Sequence, residues 1–142
     1  MYNPVADFAV MRRDITAHSK AMDVWGKLLN IPPLLGALWF LPDDAAIAVA
    51  IAMPVSLLIA VAIHKRHRLS RLIGLCHIVF IPALWLLYHA VDVPPTFSGF
   101  QVWAWYCLIL MGVSVVLDVR SIFQYFAGNR TYDQKENAHD TK

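Results

Sequence analysis

The chain has 142 residues, of which 58% are hydrophobic and 15% charged. A soluble domain carries roughly 45–50% apolar and about 25% charged residues, so the composition argues against a water-soluble fold. The net charge of +2 gathers into no basic face on a soluble fold, and no nucleic-acid partner is expected. Cys76 and Cys107 stand singly inside apolar segments, which excludes a C-x-x-C redox or zinc motif.

Before the first apolar block, Asp7, Arg12, Arg13, Asp14 and Lys20 leave no room for the h-region of a signal peptide. Phe8, Met11, Ile15, His18, Met22, Trp25 and Leu29 recur at steps of three and four, while Arg12, Arg13 and Lys20 fall mainly off that stripe. This spacing predicts an amphipathic helix on the inner leaflet, leading into a first span.

Four apolar blocks follow, at about 24–41, 45–63, 69–91 and 100–117. Each approaches the ~20 residues that cross ~30 Å of hydrocarbon as a helix. Backbone groups in lipid must pair internally, so each block is expected to be helical. The first is interrupted by Asn30, Pro32 and Pro33 and is expected to kink; Pro54 and Pro82 predict similar breaks in the second and third. Pro42-Asp43-Asp44 joins the first pair as a tight hairpin, and the Pro94-Pro95 and Gly99 link joins the third to the fourth. Ser121 to Phe126 should continue the last helix, with Gly128 as its C-terminal cap. Residues 1–128 thus form one membrane domain, and 129–142 a polar, unstructured cytoplasmic tail.

Charge orients these spans. Arg12, Arg13, Lys20 and Lys27 precede or open the first; Lys65, Arg66, Arg68 and Arg71 surround the second link; Arg120, Arg130, Lys135 and Lys142 follow the fourth. These are all twelve Lys and Arg of the chain, and the other two links carry only Asp43, Asp44 and Asp92. Four spans put every positive region on one side, which the positive-inside rule makes the cytoplasm, with both termini there. Trp39, Tyr88, Phe97, Phe100, Trp103, Trp105 and Tyr106 are expected at the outer boundary, and Trp25, Phe123, Tyr125 and Phe126 at the inner one.

Several residues could carry more than packing. Ala48, Ala52, Ser56 and Ala60 form a ridge of small side chains at every fourth position. Such a ridge lets helix backbones approach, either against the protein's own helices or against a partner. His77 lies inside the third block, with Asn30, Ser56, His64, Ser114 and Asp118 as inner-half company. Ionisable groups at membrane depth mark functional candidates, and here the readings are a structural tether or a ligand or proton site. His89 with Asp92, Asp43 and Asp44 is the outer-face candidate, either interfacial decoration or a weak cation site; no metal is assigned. His77 and His89 stand about 18 Å apart along one helix and cannot ligate one haem, so no cofactor is implied. Cys76 and Cys107 should differ in depth by about 10 Å, too far for a disulfide. Lys65, Arg66, Arg68 and Arg71 could meet anionic lipid headgroups or serve only as topology determinants.

The stretch from Ser114 to Arg130 resembles the exit of small uncharacterised proteobacterial four-helix inner-membrane proteins. In those, a last span ends in an acidic residue before a helix closed by Gly-x-Arg. Asp118, Tyr125, Gly128 and Arg130 match; Gln124 stands where an arginine would precede the tyrosine. The resemblance covers about 17 residues, implies a bacterial inner-membrane location and carries no known activity.

The reading is an all-α, integral membrane four-helix bundle with an N-terminal amphipathic interfacial helix. No nucleophile stands beside a base and no pair of carboxylates lies at membrane depth, so no enzyme activity is expected. The bilayer is the expected environment, with a larger membrane protein or self-association as the candidate partnership. An accessory or interaction subunit is favoured, with a small homo-oligomeric channel or carrier as the alternative and a haem- or metal-binding membrane protein as the second.

Overall fold

The computed structural model describes residues 4–91, 97–128, 130 and 131. Asp92 and the link through residue 96, and the tail apart from Arg130 and Thr131, lie outside the described residues. Among the described residues the fold is all-α. Helix α1 is Pro4–His18, α2 is Lys20–Trp39 and α3 is Asp44–Arg66; a 3-10 helix, Arg71–Val79, runs into α4, Phe80–Ala90; α5 is Gly99–Phe126.

Short polar side chains set the boundaries. Ser19 has extended backbone and its hydroxyl accepts Met22 N–H, so it closes α1 and caps α2. The predicted amphipathic helix therefore breaks at Ser19 instead of running straight into the first span. Asp43 Oδ1 accepts the N–H groups of Ala45 and Ala46 and caps α3; Ser98 does the same for α5 through Gln101. Gly128, at φ +97°, ends α5 in the left-handed conformation expected of a C-terminal glycine, its N–H on Tyr125 O at 3.1 Å.

Three helices are long and apolar enough to cross a membrane: Asp44–Arg66, the joined segment Arg71–Ala90, and Gly99–Phe126. Helix α2 is not among them, because Lys20, Asp23, Lys27 and Asn30 occupy its first turns. Their outward surfaces are apolar: Ile51, Leu58, Ile78, Ile81, Val102 and Val116 are all more than half exposed. A surface of this kind suits lipid and not water.

The four rods close a ring. Helix α2 packs on α3 and α5, and the 3-10/α4 segment packs on α3 and α5 from the other side. Inside, Leu29, Val49, Met53, Phe80, Leu87 and Met111 form the main core. A smaller core, Met11, Ala60, Val61 and Cys76, sits beside α1, with Phe8 and Ile15 against it. The N-terminal stripe thus turns Phe8, Met11 and Ile15 onto α3 and the 3-10 helix.

Helical hydrogen bonding continues past the prolines of α2 and α3. Helix α3 runs unbroken through Pro54, and α2 through Pro32 and Pro33. Pro82 stands in the first turn of α4, where a missing N–H costs that helix no bond. The discontinuity of the third segment lies further in, where residues 71–79 are 3-10 and not α. At ~2.0 Å per residue against ~1.5 Å, the joined segment measures about 34 Å, enough for ~30 Å of hydrocarbon.

Candidate functional site: the polar seams between helices

Polar side chains meet along the faces where helices touch. The first seam joins α2 to α5. Pro32 has no N–H, so the Leu28 carbonyl one turn earlier loses its usual donor. Tyr106 takes that place, its hydroxyl donating to Leu28 O at 2.9 Å. One turn further out, Trp103 Nε1 donates to Pro33 O at 3.2 Å. The indole fits because residue 36 is glycine: a Cβ there would run into the Trp103 ring. At the inner end Trp25 Nε1 donates to Ser114 Oγ at 3.2 Å. Trp103, read from the sequence as an outer-boundary residue, is buried in the notch at Gly36, and Tyr106, read the same way, bridges α5 to α2 through the Leu28 carbonyl that Pro32 frees. Trp39 and Phe97 are exposed.

The second seam joins the 3-10 helix to α5. His77 Nδ1 lies 2.5 Å from Asp118 Oδ2, and Gly74 packs on the same carboxylate. The His77 ring rests on Phe80 with centroids 4.7 Å apart. Arg71, buried, donates from Nη1 to Gln124 Oε1. A carboxylate on Nδ1 fixes the imidazole's orientation and leaves Nε2 for a second bond. The rest of the expected company is occupied elsewhere. Asn30 Nδ2 donates to Gly26 O of its own helix at 2.7 Å, and Ser56 hydrogen-bonds with Cys76. Ser114 goes to Trp25 and His64 to Asp14. What remains at His77 is a dyad and not a larger cluster.

A third set of contacts fastens α1. His64, only 3% exposed, accepts the Leu69 N–H at Nδ1, so Nε2 donates to Asp14 Oδ2 at 3.0 Å. Arg68 reaches the same oxygen from Nη2 at 2.6 Å and from Nε at 3.0 Å. The Arg68 hydrogen bond, with help from His64, holds the Asp14 carboxyl below the usual carboxylate range. Lys65 pairs with Asp7 at 2.8 Å. Asp23 lies between Lys27 and Arg12, at 2.8 Å from each, and Lys27 above all keeps its carboxyl low. Of the four cations considered for headgroups, Lys65 and Arg68 thus meet α1 carboxylates and Arg71 is buried on α5; Arg66 is exposed. The sequence reading missed Asp7, Asp14 and Asp23, whose partners stand up to 58 residues away.

Among the described residues the outer candidates do not converge, and Asp92 lies outside them. Asp43 is spent on its cap, and Asp44 is exposed in the first turn of α3. His89 stands among aromatic rings, 4.5 Å from Trp85 and 5.4 Å from Tyr88. Among the described residues no three His, Cys, Asp or Glu side chains come together. The small ridge faces inward: Ala52, Ser56 and Ala60 are buried and Ala48 is half-buried against the main core. Cys76 and Cys107 are both buried free thiols. No family model, no curated protein and no solved structure matches this chain.

Proposed function

We propose that this chain is a small four-span protein of a bacterial inner membrane, with both termini cytoplasmic, and that it serves as an accessory or interaction subunit of a larger membrane complex without catalysing a reaction. The observation that carries this reading is how the interhelical polar groups are used. Trp25, Trp103, Tyr106, His77 and Arg71 each tie one helix to another. A block braced in this way, apolar outside, suits a role through its surface.

Helix α2 is the fourth span in this reading. Its apolar part is short, and Lys27 turns its ammonium back to Asp23, toward the inner end; such snorkelling lets a charged residue sit near a boundary. All twelve Lys and Arg then fall on one side. The resemblance of the 114–130 stretch to proteobacterial inner-membrane proteins points the same way.

The alternative is a homo-oligomeric channel or carrier. The ridge Ala48, Ala52, Ser56 and Ala60 is taken up within the monomer, which leaves that reading without its most obvious subunit seam. Crosslinking in native membranes separates the two. A stoichiometric complex with one larger membrane protein supports the subunit reading; a discrete homo-oligomer alone overturns it. For topology, a periplasm-dependent reporter fused after Lys142 should be inactive, and activity would refute the cytoplasmic terminus. A Soret band or stoichiometric zinc in purified protein would revive the haem or metal alternative.

A further inference from the structure

The 3-10 helix Arg71–Val79 is nine residues long, whereas such helices rarely exceed three or four residues because their hydrogen bonds are poorer than those of the α form. Three residues per turn give it three straight edges. Arg71, Gly74, His77 and, at the junction, Phe80 form one; its polar members meet Gln124 and Asp118 of α5. Ile73, Cys76 and Val79 form the second and pack on the two apolar cores. Leu72, Leu75 and Ile78 form the third and turn outward, Ile78 being 62% exposed.

The same stretch carries a second period. Leu69, Ile73, Cys76, Phe80, Ala83 and Leu87 recur at steps of four and three, which is one apolar face of a continuous α-helix. The outer part of that face, Phe80, Ala83 and Leu87, is already the buried face of α4. Continued inward as α-helix, the face would keep Ile73 and Cys76 inside. Leu69, just before the segment, stands at φ 49°, a left-handed conformation uncommon for a residue other than glycine.

We propose that residues 71–79 are a two-state element, 3-10 in this structure and α in the other state, and that the His77–Asp118 contact is the catch that holds the 3-10 form. In an α-helix Arg71 and His77 stand about 120° apart and cannot both face α5; with three residues per turn they align. Gly74 belongs to the catch, because a Cβ there would lie 2.7 Å from Asp118 Oδ1. Release turns Arg71 through about 180° relative to Phe80 and shortens the segment by ~4.5 Å. The guanidinium then leaves Gln124 for the outward side, where anionic headgroups are its natural partners.

The test uses the full chain in bilayers, in a Cys76→Ala, Cys107→Ala background, with spin labels at Leu72→Cys and Leu86→Cys, the latter on the exposed side of α4. Asp118→Ala and Gly74→Ala each break the catch by a different route, one removing the carboxylate and the other displacing it. Both should shorten the 72–86 distance by roughly 7 Å: about 4 Å is the difference in rise, and the rest comes from residue 72 turning from about 120° to about 40° away from residue 86 around the axis. Labels at 86 and 102, on α4 and α5, should hold their distance. An unchanged 72–86 distance in both variants overturns the proposal. So does a change at 86–102 in both, since the dyad would then hold the whole bundle and not a two-state segment.

Discussion

Tyr106 and Pro32 give the sharpest test of how this fold replaces the helix donor that a proline removes. If the Tyr106 hydroxyl stands in for the N–H that Pro32 lacks, Tyr106→Phe leaves the Leu28 carbonyl without that donor. In lipid no water replaces it. Interhelical hydrogen bonds in membranes average about 0.6 kcal/mol and reach about 1.7. We expect the upper part of that range, near 1–1.5 kcal/mol, because proline leaves this acceptor no intrahelical partner. Pro32→Ala restores the donor, and Pro32 is exposed, so the change opens no cavity in the core. In that background Tyr106→Phe should cost close to nothing. The double-mutant cycle, read by equilibrium unfolding in mixed micelles, should therefore return a coupling of about 1 kcal/mol, roughly fivefold in the unfolding constant. A cost for Tyr106→Phe that is the same in both backgrounds would refute the reasoning, since the hydroxyl would then not be replacing the missing N–H.

Other expectations follow from the same packing. Gly36→Ala should destabilise by about 1–3 kcal/mol through overlap with Trp103. Gly112→Ala, where a Cβ meets nothing within 4 Å, should be neutral or stabilising by roughly 0.5–1 kcal/mol in the same unfolding assay. Ala52→Leu and Ser56→Leu should lower monomer stability by about 1–3 kcal/mol, while Leu58→Phe on the outward face should be nearly silent; loss of an oligomer with an intact monomer would contradict this. The Asp14 carboxyl is held below its ordinary value, so its contribution to docking α1 is complete above about pH 4 and fades as pH falls further. Protection of the α1 amides, taken relative to their intrinsic exchange rate at each pH, should fall on acidification below that point, and Asp14→Asn should flatten the dependence; an unaltered acid response in the variant would remove Asp14 from the explanation.

The amino-acid sequence by itself determined the all-α class, the approximate limits of the apolar helices, the caps at Asp43 and Gly128, and the gathering of every Lys and Arg at three places. These are properties of single segments. Transfer to lipid depends on local composition, and a backbone without water must bond within its own helix. The pairing of His77 with Asp118 was partly legible, because two ionisable residues at similar depth on adjacent helices have few other partners. The rest needed the fold. Asp7 and Asp14 on α1 looked like ordinary solvated charges until the end of α3 came alongside them. Pro32 looked like a defect in a span until Tyr106 filled the vacancy, and nothing in the sequence marked Gly36 as the notch for Trp103. The 71–79 stretch satisfies two helical periods at once, and its local interactions do not choose between them. Asp118 and Gln124 decide, because a 3-10 helix is poorer in its own hydrogen bonds and persists where tertiary contacts along one straight edge make up the difference.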